Sequence, residues 1–289
     1  MTGTGPASHV VPPAYEEIDY RFDDGIAVIS FNAPQRRNAL RNQMLRDLWQ
    51  ALDIADRDPA VRAVVLTGSG DHFCVGAELT GPDTLLEALE EDAAGHTPTG
   101  YREPGGRVSE RLFDMRTPVV AAVNGDAVGG GASIMAAADV RIAGQRSRFG
   151  FVFTRRGVVP ESASSWFLPR LVGLTRATDW VLSGRVFDAA EAYEAGLLTK
   201  VVEPESVLEE ALAYARVFVT ETSPTSVALA RRLLGRSWGH ATPRAASEDE
   251  SRVYASRLRS ADVHEGVVSF LERRPAVFPP LDDHPADYF

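Results

Sequence analysis

Three features of the sequence predict an α/β fold with mostly parallel strand pairing. Short β-rich runs alternate with helical patterns; residues 119–123, for instance, are followed by a glycine-rich turn, a helix over 133–138 and a strand over 140–143. The chain has 289 residues, enough for one large domain with a sizeable core. Its composition, 44% hydrophobic and 24% charged, is that of a folded globular protein rather than a disordered one.

Taken in order, residues 1–14 are small and Pro-containing and read as a flexible tail. Residues 15–22 and 26–31 are β-rich on either side of Asp23, Asp24 and Gly25, which predicts an antiparallel hairpin. From 42 to 55 the positions Leu45, Leu48, Trp49, Leu52 and Ile54 mostly follow helical spacing, until Asp58-Pro59 breaks the pattern. A strand over 63–67 follows. Residues 80–117 are polar and acid-rich, with Glu87, Glu90, Glu91, Asp92 and the Pro/Gly-rich run HTPTGYREPGGR. Their length marks a functional loop or lid, against the plainer alternative of a solvated helix with a loop. Beyond Val202 the pattern turns helical, at 204–219, 224–235, 243–258 and 262–273. The expected organisation is a core over 15–203 and a helical region over 204–289, whose apolar faces must pack on the core or on a neighbouring subunit.

Forty acidic against thirty basic residues give a formal charge of -10, which opposes general attraction to nucleic acid or to an anionic membrane. An anionic ligand therefore needs a local basic patch. The single cysteine, Cys74, has no partner for a disulfide and no metal-ligand spacing around it. With no basic start and apolar run at the N-terminus, this fits a reducing, cytoplasmic setting with no membrane partner.

Two segments carry the chemistry. Residues 68–79 read GSGDHFCVGAEL, and residues 118–139 read PVVAAVNGDAVGGGASIMAAAD. A glycine triplet at a helix start either lets backbone approach a ligand or lets the helix pack closely on the sheet; the helix N-terminus adds unsatisfied N–H groups. Together the segments resemble the enoyl-CoA hydratase/isomerase (crotonase) family, which reads like FCAGADL and AAVNGxAxGGG where this chain has FCVGAEL and AAVNGDAVGGG. RRNAL at 36–40, LSGRVFDAAEAYEAGLLTKVV at 182–202 and VSFLERRPAVF at 268–278 extend the resemblance over nearly the whole chain.

That resemblance implies a crotonase-like spiral of ββα units with a C-terminal helical trimerisation region, assembled as a homotrimer or a dimer of trimers. It implies an acyl-CoA thioester as substrate, with coenzyme A part of that substrate and no separate cofactor. The N–H groups of Ala77 and Gly130 are implied as an oxyanion hole for the thioester carbonyl. Arg37, with Arg36 as the alternative, is the candidate for a CoA phosphate, within the motif that also holds Ala39; Phe270 and Arg273 are candidates on the terminal helix.

The chain departs from the hydratase pattern in two places. Hydratases of the family carry one glutamate where this chain has Ser133, and a second at or next to Phe153. Without that pair, ordinary hydration is disfavoured. A carboxylate stands instead at Glu161 in VVPESASSWFLPRLVG, a segment similar to the SPEGCSSYTFP of peroxisomal-type Δ3,Δ2-enoyl-CoA isomerases, whose catalytic glutamate occupies this position. The sequence thus favours an isomerase-like reaction with Glu161 as proton shuttle. Hydration, dehydration or hydrolysis using a carboxylate from the 80–117 stretch remains an alternative, as does an acyl-CoA-binding relative without catalysis. Val158, Val159, Pro160, Trp166, Phe167 and Leu168 surround Glu161 in sequence, so desolvation is expected to raise its pKa; otherwise an acid after Pro complements a helix dipole. Cys74 reads as a packing residue, Glu78 and Asp126 as turn or pocket residues, and His72 as a turn residue.

Overall fold

The computed structural model describes residues 9–98 and 100–281. Strands β1 (Ile18–Asp23) and β2 (Ile26–Phe31) pair antiparallel around Asp24 and Gly25, whose φ values of 44° and 86° suit the two central residues of a tight hairpin turn. Helix α1 (Asn42–Arg57) buries Met44, Leu45, Leu48, Ala51 and Leu52. The chain then repeats one unit: β3 (Ala63–Gly68) and β4 (His72–Cys74), β7 (Val119–Val123) and β8 (Asp126–Val128), β9 (Val140–Gly144) and β10 (Arg148–Gly150). In each pair the first strand joins a six-stranded sheet of order β1-β2-β3-β7-β9-β12, and the second joins a four-stranded sheet of order β11-β10-β8-β4. Helix α4 (Gly130–Ala136) follows the β7–β8 pair and α5 (Ser164–Ser183) follows β9–β10, which makes the ββα spiral. The chain returns through β11 (Val186–Asp188), α6 (Ala189–Glu194) and β12 (Lys200–Val202).

Within the large sheet β2, β3, β7, β9 and β12 run parallel. The strands β3 and β7 are buried along their whole length, and so they read as near-continuous apolar runs rather than alternating ones. One face of the sheet packs Val64, Leu66 and Ala121 against α1 and the α4–α5 region. The other packs Val65, Val120 and Ile142 against Ala211 and Ala215 of α7 (Val207–Thr220). Helix α7 thus closes the main core, and the boundary expected at 203 cuts through shared packing. Helices α8 (Pro224–Ser237), α9 (Pro243–Arg257) and α10 (Ala261–Glu272) start at Ser223, Thr242 and Ser260, whose side chains each accept a first-turn N–H. Among the described residues no helix is long and apolar enough to cross a membrane.

Two expectations need correction. Residues 1–8 of the expected tail lie outside the described residues, but His9 and Val10 are tied down: His9 Nδ1 and the Val10 N–H lie 2.6 and 2.8 Å from Asp58 Oδ2, and the His9 ring stacks on Phe22. The 80–117 stretch is largely ordered into α2 (Thr84–Glu91), a short ribbon of β5 (His96–Thr97) and β6 (Gly100–Tyr101), and α3 (Pro104–Asp114). Helix α3 buries Val108 and Leu112 completely, four residues apart on the face that packs on α1. The two glycines of its first turn masked that spacing in the sequence.

The α1–α3 contact is fastened by Asp56, which is buried and accepts from Arg111 at 2.7 Å and from the N–H groups of Arg116 and Thr117 at 2.8 and 2.9 Å. Replacing Asp56 by Ala strands two N–H groups and leaves the Arg111 guanidinium with Asp53 alone, at 3.3 Å. We expect D56A to lose roughly 2–4 kcal/mol of unfolding free energy, read as a lower midpoint in a guanidinium chloride melt.

Candidate active site

Strands β4 and β8 are parallel neighbours in the small sheet, so the loops leaving their C-terminal ends emerge side by side. After β4 the chain turns at Gly76, with φ of 86°; a Cβ there would lie 2.8 Å from the Val128 carbonyl oxygen and 3.3 Å from Gly130 N. No other residue type brings the two backbones so close. Leu40 then pairs with Ala77 in a parallel bridge built from the Gly76 carbonyl and the Glu78 N–H, at 2.8 and 3.0 Å. That bridge uses the groups on either side of Ala77 and leaves its own N–H facing the other way, as strand alternation requires.

Across from it, Gly129 takes φ 56° and ψ -127° and Gly130 begins α4, so the Gly130 N–H has no intrahelical acceptor. Gly131 serves packing: a Cβ there would collide with the Cys74 carbonyl. The glycine triplet thus serves both purposes that its sequence left open. Two N–H groups, Ala77 and Gly130, border one cleft of about 1180 Å³.

Glu161 enters the same cleft from the loop before α5. A Cβ on Gly130 would sit 3.1 Å from Glu161 Oε1, which is shut off from solvent and has no hydrogen-bond partner among the described residues. Oε2 accepts from the Ser162 hydroxyl. The carboxyl is pushed up to about 7, first by burial and then by the nearby charge of Glu103, against the opposing pull of the Ser162 hydrogen bond. The residue precedes the helix by three positions, and Ala163 occupies the N-cap without a side-chain bond. Capping the dipole is therefore not the role of Glu161. The loop is instead held by its carbonyl, which accepts from Ser164 N and Oγ at 3.0 and 2.8 Å.

Glu103, at the N-cap of α3, is the residue that sequence reasoning did not single out. Its Oε1 accepts the Ser162 N–H at 2.7 Å, and a Cβ on Gly105 would lie 3.0 Å from both Glu103 Oε2 and Glu161 Oε2. The two carboxylates therefore approach within about 6 Å. The available signal was the acid directly before Pro104, a first-turn proline at a helix start.

The other candidates divide. Ser133 is buried and its hydroxyl donates to the Gly129 carbonyl at 3.2 Å; Phe153 is buried at the cleft wall. Neither position supplies a carboxylate. Arg36, Arg37 and Ala39 border the cleft, but Arg36 is held by Glu17 at 2.8 Å, by Glu78 at 3.7 Å and by the Ala39 carbonyl at 3.1 Å. Arg37 is exposed in a left-handed conformation and makes no ion pair among the described residues. Phe270 and Arg273 lie on and just after α10, exposed and away from the cleft of their own chain. Cys74 is fully buried and its thiol is pushed up to about 12 by burial, as befits a packing residue. Glu78 and Asp126 line the cleft, paired with Arg41 and Arg148; His72 belongs to β4 rather than to a turn.

Comparison with known proteins gives this arrangement its class. The profile of the family described as enoyl-CoA hydratase/isomerase matches residues 21–280, and the chain belongs to that family, the crotonases. It is 39% identical over 252 residues to the enoyl-CoA hydratase ACTT3 of Alternaria alternata, covering 87% of this chain and 82% of that protein. Enoyl-CoA hydratase AFT3-1 of the same fungus is 38% identical over 256 residues, covering 88% and 83%. The crystal structure of enoyl-CoA hydratase from Bacillus anthracis superposes with a TM-score of 0.79 at 28% identity, over 91% of this chain and 99% of that one.

The raised pKa has a consequence for stability. Because the folded value, about 7, lies above the ordinary 4.5, the folded state holds the proton more tightly than the unfolded chain. Stability from this group is intact below about pH 4.5 and is lost as pH rises through 7. The variant E161Q stays neutral throughout. Its melting temperature should exceed the parent's at about pH 8, by the equivalent of at most roughly 3 kcal/mol, and match it near pH 4.5; equal melting temperatures at both pH values would contradict the burial argument.

Proposed function

We propose that the protein transforms an enoyl-CoA thioester through an enolate whose oxygen is held by the Ala77 and Gly130 N–H groups, with Glu161 as the proton carrier. The observation that carries this reading is Glu161 Oε1, buried, without a hydrogen-bond partner among the described residues, and beside Gly130. Removing a proton from C2 of a thioester places charge on its carbonyl oxygen, and each preorganised donor aimed there contributes about 2.7–4 kcal/mol in known oxyanion holes. A carboxyl with a pKa near 7 is matched to accepting and returning that proton at neutral pH.

With Ser133 and Phe153 in place of the hydratase carboxylates, the favoured reaction is isomerisation. Glu161 takes the proton from C2 of a 3-enoyl-CoA, the electron pair passes through the enolate, and the same proton returns to C4 as the double bond moves to C2–C3. This agrees with the likeness of the Glu161 segment to peroxisomal-type isomerases. Hydration is the second reading: relatives bear the name enoyl-CoA hydratase, and Glu103 brings a second carboxylate to the cleft. Arg37, free of ion pairs among the described residues, is the preferred contact for a CoA phosphate, ahead of Arg36.

Mass spectrometry separates the two reactions, since isomerisation leaves the mass of a 3-enoyl-CoA unchanged and hydration of a 2-enoyl-CoA adds one water. We expect the unchanged mass with a shifted double bond, and a loss of roughly 10²–10⁴ in kcat for E161Q with CoA binding retained. Full turnover by E161Q would overturn the role of Glu161.

The same reading includes a homotrimer or dimer of trimers, with α10 at the interface. Val267, Phe270 and Leu271 leave a largely exposed apolar strip there, and a neighbouring chain would bring Phe270 and Arg273 to a bound CoA. Light scattering should give a mass of three or six chains; a mass of one chain would refute the assembly.

A further inference from the structure

Glu161 belongs to an unusual piece of backbone. Ser162 and Ala163, neither of them glycine, both adopt the left-handed conformation with φ of 53° and 55°. Such residues persist only where their surroundings hold them. The holding contact comes from the start of α3, where Glu103 Oε1 accepts the Ser162 N–H at 2.7 Å, while the Ser162 hydroxyl donates to Glu161 Oε2. Ser162 is fully buried and links the two carboxylates through its two polar groups.

Space is reserved for this link. A side chain at position 105 would collide with Ser162 Oγ and press on both carboxylates, so Gly105 is what allows the start of α3 to reach the loop. Helix α3 is anchored on α1 through Arg111 and Asp56, which gives Glu103 a rigid mount.

We propose that Glu103 is the positioning residue for Glu161, fixing its carboxylate through Ser162 and keeping a second negative charge beside it. This rests on the reading of Glu161 as proton carrier. Glu103 acts in two separable ways: its Oε1 fixes the left-handed turn, and its charge favours the protonated form of Glu161. Of the other charged groups around the cleft, Arg37, Arg46, Glu87 and Glu91 add nothing to the burial and the Glu103 charge that raise the Glu161 carboxyl, and the rest are engaged elsewhere. Arg36 pairs with Glu17 and Glu78, Arg41 with Glu78, and Arg148 and His72 with Asp126. Arg156 turns to the Arg155 carbonyl, Tyr101 to Asp92, and the Cys74 thiol on β4, with its raised pKa, is neutral. Glu103 is the ionic neighbour to which Glu161 responds.

The substitutions E103Q, E103A and S162A separate the two effects. Gln keeps an oxygen acceptor for the Ser162 N–H but removes the charge; Ala removes both. In kcat/KM pH profiles with a 3-enoyl-CoA, E103Q should move the acid limb down by roughly one pH unit while kcat on the plateau stays near the parent's. E103A should lose roughly 10²-fold in kcat with little change in KM, a loss that E103Q largely restores. S162A, lacking the hydroxyl that favours ionised Glu161, should move the acid limb upward. Infrared titration of the Glu161 carboxyl, assigned by its absence in E161Q, should show the same opposite shifts without any substrate. An unmoved titration in E103Q, or equal kcat losses in E103A and E103Q, would overturn the proposal. Should E161Q itself turn over normally, the reading of Glu161 falls instead, and the infrared shifts still decide whether Glu103 governs its ionisation.

Discussion

The site depends on the close approach of two backbones at the ends of β4 and β8. Parallel pairing in the small sheet delivers both loops to one edge, and Gly76, Gly129 and Gly131 let them close to near van der Waals contact. Ala77 and Gly130 then present N–H groups on one side because bridge geometry and the helix start each leave one donor unused. A side chain at Gly76 or Gly131 would push the loops apart, and at Gly129 the φ of 56° disfavours one. The arrangement needs little side-chain chemistry and is strict in packing, which suits the role of enolate-oxygen donors proposed for these two groups.

Around this rigid pair the cleft carries the opposite character, a carboxyl where it is least comfortable. Glu161 is desolvated at one oxygen and bound at the other, with a second carboxylate about 6 Å or less away. Burial and like charge both favour the protonated acid, and the Ser162 hydroxyl offsets them in part. The fold tolerates this cost because α1, α3 and the large sheet supply their packing elsewhere. The cost falls on the group proposed as the proton carrier, and the left-handed pair at Ser162 and Ala163 adds to it.

The ββα spiral explains why residues distant in sequence meet. Ala77 follows β4, Glu103 precedes α3, Gly130 begins α4 and Glu161 precedes α5, four points of the chain that the spiral brings to one cleft. Helix α3 ties the second of these, Glu103, to α1, and α7 closes the opposite face of the large sheet. The C-terminal helices are thus divided in their packing: α7 belongs to the core, whereas α10 leaves Phe270 and Leu271 exposed.

Local chemistry made much of this legible in the sequence. The hairpin at Asp24-Gly25, the near-continuous apolar strands β3 and β7, and helices starting at Ser223, Thr242 and Ser260 all follow from turn, burial and capping preferences that act over a few residues. The glycine-rich motifs pointed to the family, and that resemblance in turn marked Ser133 and Phe153 as positions where its hydratases carry glutamates. Tertiary structure decided what depends on approach through space: that α3 forms and packs on α1, that Arg36 is occupied by Glu17 and Glu78, and that Glu103 reaches Ser162 across 59 residues. Periodicity and motif spacing report on neighbours along the chain. The ionisation of Glu161 is set by desolvation and by a charge that only folding brings beside it.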